Sequence, residues 1–359
     1  MSPRFPALLL ASLFAAGCAT SVDLTTVSFA DSQDPVANAQ VTPLAGNRAS
    51  DGVVATLAVD PNNRPVSTNE QGQFEIDYGT IPAVAGVQIT IDVPSEVSNA
   101  VGKIDWRQVL DDPTALGIEL EIPQPTACPQ DTDCGTPLLP DLSPIIGWDD
   151  VDPAVADFLR PGTVGPLSAG LFPAETWFVD QDGERRLLRF ATVAANIGEG
   201  PLDIIALPGE GDSSQTWQRV WTSDWHFQDS LSGEFIFHPE HDHVHFDAFE
   251  RYTLRDASGA VVAESEKVSF CLRDSVRVVD GLAPAEGLML VDDGSCEGQQ
   301  QVINPGFGDH YHALLEDQWI DITGVPSGNY EVEIAVDPLD LILESDESNN
   351  VASFAVTIE

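Results

Sequence analysis

Tyr330-Glu331-Val332-Glu333-Ile334-Ala335-Val336 sets apolar side chains at every second position over its first five residues, with acids between them. That period of two is the signature of a half-buried strand, because successive side chains on extended backbone point to opposite faces. The pattern recurs on either side of this stretch. Val351-Ala352-Ser353-Phe354-Ala355-Val356-Thr357-Ile358 closes the chain, and Arg186-Leu187-Leu188-Arg189-Phe190-Ala191-Thr192-Val193 lies well before it. Further upstream stand Phe74-Glu75-Ile76-Asp77-Tyr78 and Gly86-Val87-Gln88-Ile89-Thr90-Ile91-Asp92-Val93, spaced by turn clusters such as Asn69-Glu70-Gln71-Gly72. Pro and Gly interrupt any helical period between these runs, so the expectation is a mainly β protein with its chemistry on loops.

The N-terminus addresses the chain before it folds. Arg4 provides a small positive region, and the apolar run from Ala7 to Gly17 is shorter than the about 20 residues that a membrane-spanning helix needs. The run ends in Leu13-Phe14-Ala15-Ala16-Gly17-Cys18, which resembles the lipobox of bacterial lipoproteins. Residues 1–18 are therefore expected to be a signal peptide, with lipidation at Cys18 and an exported product that is anchored to the cell envelope, at the outer membrane, or extracellular. The lipid on Cys18 is then the one expected contact with the membrane. Four cysteines remain, and in an oxidising compartment they are expected to form two disulfides. Proximity favours Cys128–Cys134 and Cys271–Cys296, and two other pairings stay open.

The sequence carries 58 acidic against 15 basic residues, a formal charge of −43, and has only two lysines, Lys103 and Lys267. Such a surface repels nucleic acid and attracts cations, amines and basic proteins. A saline habitat would favour the same composition, because salt screens self-repulsion. The 43% apolar content, patterned into strands, argues against disorder.

Length suits two domains. Residues 22–123 read as a small β-sandwich. Within it, Val66–Phe74 resembles the hairpin of carboxypeptidase-regulatory-type immunoglobulin-like modules and holds no catalytic constellation. Residues 124–144, rich in proline, acids and turn formers, read as a linker. Residues 145–359 form the second, loop-rich β domain, to which Asp141 and Leu142 are also assigned.

All seven histidines fall between His226 and His312, four of them in His238-Pro239-Glu240-His241-Asp242-His243-Val244-His245. Residues two apart share a strand face, so His241, His243 and His245 project together. Imidazole suits copper, zinc, iron or nickel. A flat strand would hold the outer pair about 13 Å apart, so a twist, bulge or loop has to draw the three onto one ion.

Phe237 to Tyr252 resembles the copper-binding motif of lysyl oxidases, in which the three alternating histidines are ligands and His238 matches a further histidine near its start. Glu266-Lys267-Val268-Ser269-Phe270-Cys271-Leu272 resembles the segment holding that family's cofactor lysine. Asp309-His310-Tyr311, ahead of Gln318-Trp319-Ile320-Asp321-Ile322-Thr323, matches the tyrosine that becomes its quinone. The similarity runs from about Leu187 to Glu359. It implies copper held by His241, His243 and His245, and a lysine tyrosylquinone joining Lys267 to Tyr311 across forty-four residues. It also implies oxidation of primary amines, whether small amines, polyamines or peptidyl lysine on basic proteins, to aldehydes with release of ammonia and hydrogen peroxide. An organic cofactor is needed because no standard side chain serves as an electron sink for amines. Asp247, His238 and Asp309 are the candidates for the general base.

The resemblance also implies a calcium site. Glu344-Ser345-Asp346-Glu347-Ser348-Asn349-Asn350 offers the oxygens a hard cation takes, through Glu344, Asp346, Asn349 and Asn350, joined by Asp141 and the carbonyl of Leu142. The chain departs from the family in three places. Glu240 replaces a motif cysteine, the Tyr311 segment lacks its flanking cysteines, and Arg251 or Tyr252 stands where the family has a histidine. Two other readings are a non-enzymatic copper- or zinc-binding surface lipoprotein and a zinc hydrolase with Glu240 as base. The fate of Tyr311 separates them from an oxidase.

Overall fold

The computed structural model describes residues 22–48, 54–58, 66–77, 87–98, 104–110, 119–146, 177–206, 213–238, 242–265, 269–279, 288–290, 296, 300–313, 315 and 317–359. The expected signal peptide with Cys18, and also Glu240, His241 and Lys267, lie outside the described residues. Among those described, the chain is nearly all β, and Ser95–Ser98 is the one helix.

Two sheets form around the first core. In one, Val22–Phe29 pairs antiparallel with Gln73–Asp77 and parallel with Glu119–Ile122. The other runs Leu288–Leu290, Ile104–Leu110, Val87–Val93, Gln40–Arg48 and Val54–Ala58 in that order. Val27, Phe29, Phe74, Leu120 and Ile122 from the first sheet pack with Val41, Ile91, Val93, Ile104 and Trp106 from the second. Alternation explains the choice: residues two apart on a strand share a face, and these positions share the face turned to the core. The same cluster takes in Trp221, Trp225, Phe227, Leu290 and Val302 from the C-terminal half.

The C-terminal half builds four sheets around a second, larger core that includes Phe190, Phe235, Phe246, Phe249, Tyr252, Phe270, Tyr311, Ile320 and Ile334. In one sheet the order is His243–Phe246, His226–His238, Ser213–Thr222, Leu202–Ala206, Gln300–Ile303. Another holds Leu142–Ile146, Thr192–Asn196, Phe307–Tyr311 and Val276–Arg277. Within the proline-rich stretch 124–144, Thr126–Ala127 pairs with the strand His226–His238 and Pro137–Leu138 with Ser213–Thr222. Both expected disulfides, Cys128–Cys134 and Cys271–Cys296, are present.

The run Arg186–Val193 does not form one strand. Arg185–Phe190 pairs with Trp319–Asp321, and Thr192–Asn196 pairs with Phe307–Tyr311 in a different sheet. Ala191 is the crossing point, and apolar residues continue through it because both strands face the same core. The expected strands at Tyr330–Val336 and Val351–Ile358 form as one antiparallel pair. One close approach requires glycine: a Cβ at Gly308 would lie 2.4 Å from Val193 Cγ1. Phe307–Tyr311 can therefore pack tightly against Thr192–Asn196.

Candidate metal and quinone site

The histidine motif folds as a hairpin. His226–His238 and His243–Phe246 are antiparallel, with His238 opposite His243 and Ile236 opposite His245. Asp242 in the turn has φ of 59°, a left-handed conformation that Asp tolerates better than most residues. Pro239, next to the end of the first strand, can give no N–H to a continuing ladder. The alternation read from the sequence thus holds for His243 and His245, while His241 lies outside the described residues.

This hairpin puts His238, His243 and His245 on one face, as cross-strand and i,i+2 neighbours. The His243 and His245 Nε2 atoms are 3.0 Å apart. Two imidazole nitrogens bound at about 2.0 Å to a shared ion take up a separation of this order. His238 stacks on His245 with ring centroids 4.3 Å apart, and its Nε2 meets the Ser269 hydroxyl at 3.0 Å. Ser269 Oγ is also 3.5 Å from His245 Nδ1. His245 and Ser269 are buried. No group of three or more His, Cys, Asp or Glu able to hold a metal is found among the described residues.

The segment after Lys267 runs between this hairpin and Tyr311. Phe246 and Phe270 exchange backbone hydrogen bonds of 2.7 and 3.0 Å. Phe270 meets the Tyr311 ring edge-on, with centroids 4.6 Å apart. The Tyr311 hydroxyl donates to the Cys271 carbonyl at 3.0 Å. Tyr311 is buried, and desolvation followed by the neighbouring Asp309 raises its pKa well above the ordinary value.

Asp309 shares the face of Tyr311 at i,i+2 on the same strand. Ser275 Oγ donates to Asp309 Oδ1 at 2.9 Å, while the buried Oδ2 has no hydrogen-bond partner. Burial raises this carboxyl well above the usual carboxylate range. Of the three base candidates, Asp309 therefore adjoins Tyr311 and His238 adjoins the hairpin histidines. Asp247 lies at the hairpin's far end, where its N–H donates to the Glu234 carbonyl. His310, on the opposite strand face from Tyr311, is buried, and desolvation lowers its pKa to about 4.

A buried polar group next to Tyr311 was not anticipated from the sequence. Thr192, the cross-strand partner of Tyr311, lies 3.1 Å from the Tyr252 hydroxyl. Tyr252 donates to Glu250 and accepts from Gln318 Nε2 at 3.2 Å. All four side chains are fully enclosed. Tyr252, one of the two residues at the missing family histidine, thus fills the core; Arg251 beside it is half-buried. The loop after Tyr311 is held by Arg189, which donates to the carbonyls of Ala313 and Leu315 and stacks 4.5 Å from the Trp319 ring.

At the acidic turn, Asn349 Nδ2 donates to Asp141 Oδ1 at 2.6 Å and Asn350 Nδ2 to Glu344 Oε1 at 2.7 Å. The backbone N–H of Leu142 donates to Glu344 Oε2. The side-chain carbonyl oxygens of Asn349 and Asn350 are buried without hydrogen-bond partners. Burial pushes the Glu344 carboxyl up to about 8. Orphaned oxygens beside a desolvated carboxyl fit a hard cation. Asp346 accepts from the Ser348 N–H and hydroxyl, at 2.8 and 2.6 Å.

The site therefore brings clustered imidazoles and a buried tyrosine to one connecting segment of a β-rich domain. Residues 222–359 match the family model described as lysyl oxidase. The chain is 41% identical over 117 residues to human lysyl oxidase homolog 1, covering 32% of itself and 19% of that protein. It is 39% identical over 122 residues to chicken protein-lysine 6-oxidase, covering 32% of itself and 26% of the relative. With human lysyl oxidase homolog 2 it shares 31% identity over 170 residues, 47% of this chain and 18% of the relative. The match therefore spans about a quarter or less of these relatives' lengths.

Proposed function

We propose that the C-terminal domain is a copper- and lysine tyrosylquinone-dependent amine oxidase acting on primary amines. The observation that carries this reading is the path of Ser269–Cys271. Those three residues follow Lys267 closely, and they touch the hairpin histidines at one end and Tyr311 at the other.

His243 and His245, with His241, would hold the copper. The metal and the quinone would supply the electron sink that lets a primary amine become an aldehyde, with ammonia and hydrogen peroxide released. The chain's own residues fix the ring and manage protons. Phe270 bounds the Tyr311 ring on one side, and the Cys271 carbonyl orients its hydroxyl. Asp309 is the carboxyl able to hold or take a proton beside the ring. Enclosure of both groups excludes bulk water, which strengthens their electrostatic interaction.

Calcium, bound by Asp141, Leu142, Glu344, Asp346, Asn349 and Asn350, would join the domain's first strand to its last turn. Lipid at Cys18 would hold the protein at the cell envelope, and the −43 charge would draw in cationic amines and basic proteins.

The test is peptide mass mapping after copper and oxygen treatment. The expected result is a covalent link between the peptides carrying Lys267 and Tyr311, with quinone absorbance and peroxide formed on adding a primary amine. Unmodified Tyr311 in copper-loaded, air-exposed protein would overturn the oxidase in favour of a metal-binding lipoprotein.

A further inference from the structure

Ser269 is a small residue two positions beyond Lys267, buried at the point where three imidazoles gather. A serine hydroxyl has one proton to donate and lone pairs to accept with. Its neighbours here are His238 Nε2 at 3.0 Å and His245 Nδ1 at 3.5 Å. The other nitrogen of His245, Nε2, is the one directed at His243 Nε2.

We infer that Ser269 is a positioning residue that sets the tautomer of His245 and ties it to His238. This rests on the copper reading of the hairpin. With Nε2 of His245 committed to the metal, its proton resides on Nδ1 and points at Ser269 Oγ. The Ser269 hydroxyl then turns its own proton toward His238 Nε2, which accepts. Every proton has one place in this chain, and the stack of His238 on His245 holds the two rings in register. His238 supports the ligand set by accepting at Nε2 from Ser269. Such outer hydrogen bonds orient a ligating imidazole and raise its basicity, and losing one typically costs 10- to 100-fold in metal affinity.

The test is copper affinity of the full chain by competition with a chelator of known affinity, together with the Cu(II) electron paramagnetic resonance spectrum. Ser269→Ala should bind copper roughly 10- to 100-fold more weakly, with altered hyperfine splitting. His238→Phe keeps an aromatic ring in the stack and removes the acceptor nitrogen, so it should alter the spectrum while still binding one copper. Ser269→Ala with wild-type affinity and spectrum overturns the assignment, as does a His238→Phe spectrum identical to wild type. The copper reading fails separately: it falls if wild-type protein takes up no copper, or if His243→Ala takes it up as tightly as wild type.

Discussion

The Tyr311 hydroxyl donates to the Cys271 carbonyl at 3.0 Å, and Cys271 is joined by a disulfide to Cys296. The candidate quinone ring is therefore anchored to the segment that begins at Lys267, and that segment is cross-linked to Cys296. Oxidation of Tyr311 and attack by the lysine amine would need this proximity, since an oriented pair reacts as though at very high concentration.

That relationship sets the first expectation. On the proposed function, Tyr311→Phe removes the ring oxygen that copper chemistry would elaborate, so it should bind copper yet show no quinone absorbance and no amine turnover. Lys267→Arg keeps the charge but cannot supply the same amine, and should fail likewise. Absorbance spectra and peroxide release measure both. Quinone formation in either variant would break the link between these two residues and the cofactor.

Metal content should respond to the hairpin. Replacing His241, His243 or His245 with Ala should each abolish stoichiometric copper and block cofactor formation, because a three-nitrogen site rarely tolerates losing a ligand. Metal analysis after dialysis is the measurement. Full copper occupancy in all three variants would place the metal elsewhere.

The acidic turn predicts a stability effect. In copper-free protein, EDTA should lower the melting temperature and calcium should restore it. Calcium at a hundred times its dissociation constant would add about 2.7 kcal/mol. Asn350→Ala, which removes one orphaned oxygen, should shrink the calcium-dependent shift. An identical melting curve with and without calcium would reduce the turn to an acidic hairpin.

Asp203 predicts a pH dependence. It is fully buried, accepts from Trp221 Nε1 at 2.9 Å and Gln300 Nε2 at 2.7 Å, and burial raises its pKa from 3.8 to about 6. The folded state binds this proton more tightly than the unfolded state. Its contribution is therefore complete below about pH 4 and is lost as pH rises through about 6. A shift of roughly two units corresponds to about 3 kcal/mol at most. Urea denaturation between pH 4 and 7 should show the decline in wild type and a flatter profile in Asp203→Asn. Equal slopes in the two proteins would assign the decline to other groups.

The sequence alone determined the β class, because a period of two is written in adjacent residues and needs no knowledge of partners. It also marked His243 and His245 as neighbours on one strand face, while proximity along the chain favoured Cys128–Cys134 and Cys271–Cys296 over two other pairings that only the structure excluded. The tertiary structure decided what those neighbours meet. Ser269 reaches His238 from thirty-one residues away, and the enclosed set Thr192, Glu250, Tyr252 and Gln318 comes from three separate stretches of chain. Nothing in the local pattern marks Glu250 as buried, since a charged residue opening a strand ordinarily faces water. The break at Ala191 was equally hidden, because strands of two sheets facing one core carry one continuous apolar run. Leu288–Leu290, too short for its own pattern to place, joins the N-terminal sheet beside Ile104–Leu110. Alternation reports which face of a strand is apolar, whereas pairing and enclosure depend on contacts between distant segments that form only when the chain packs.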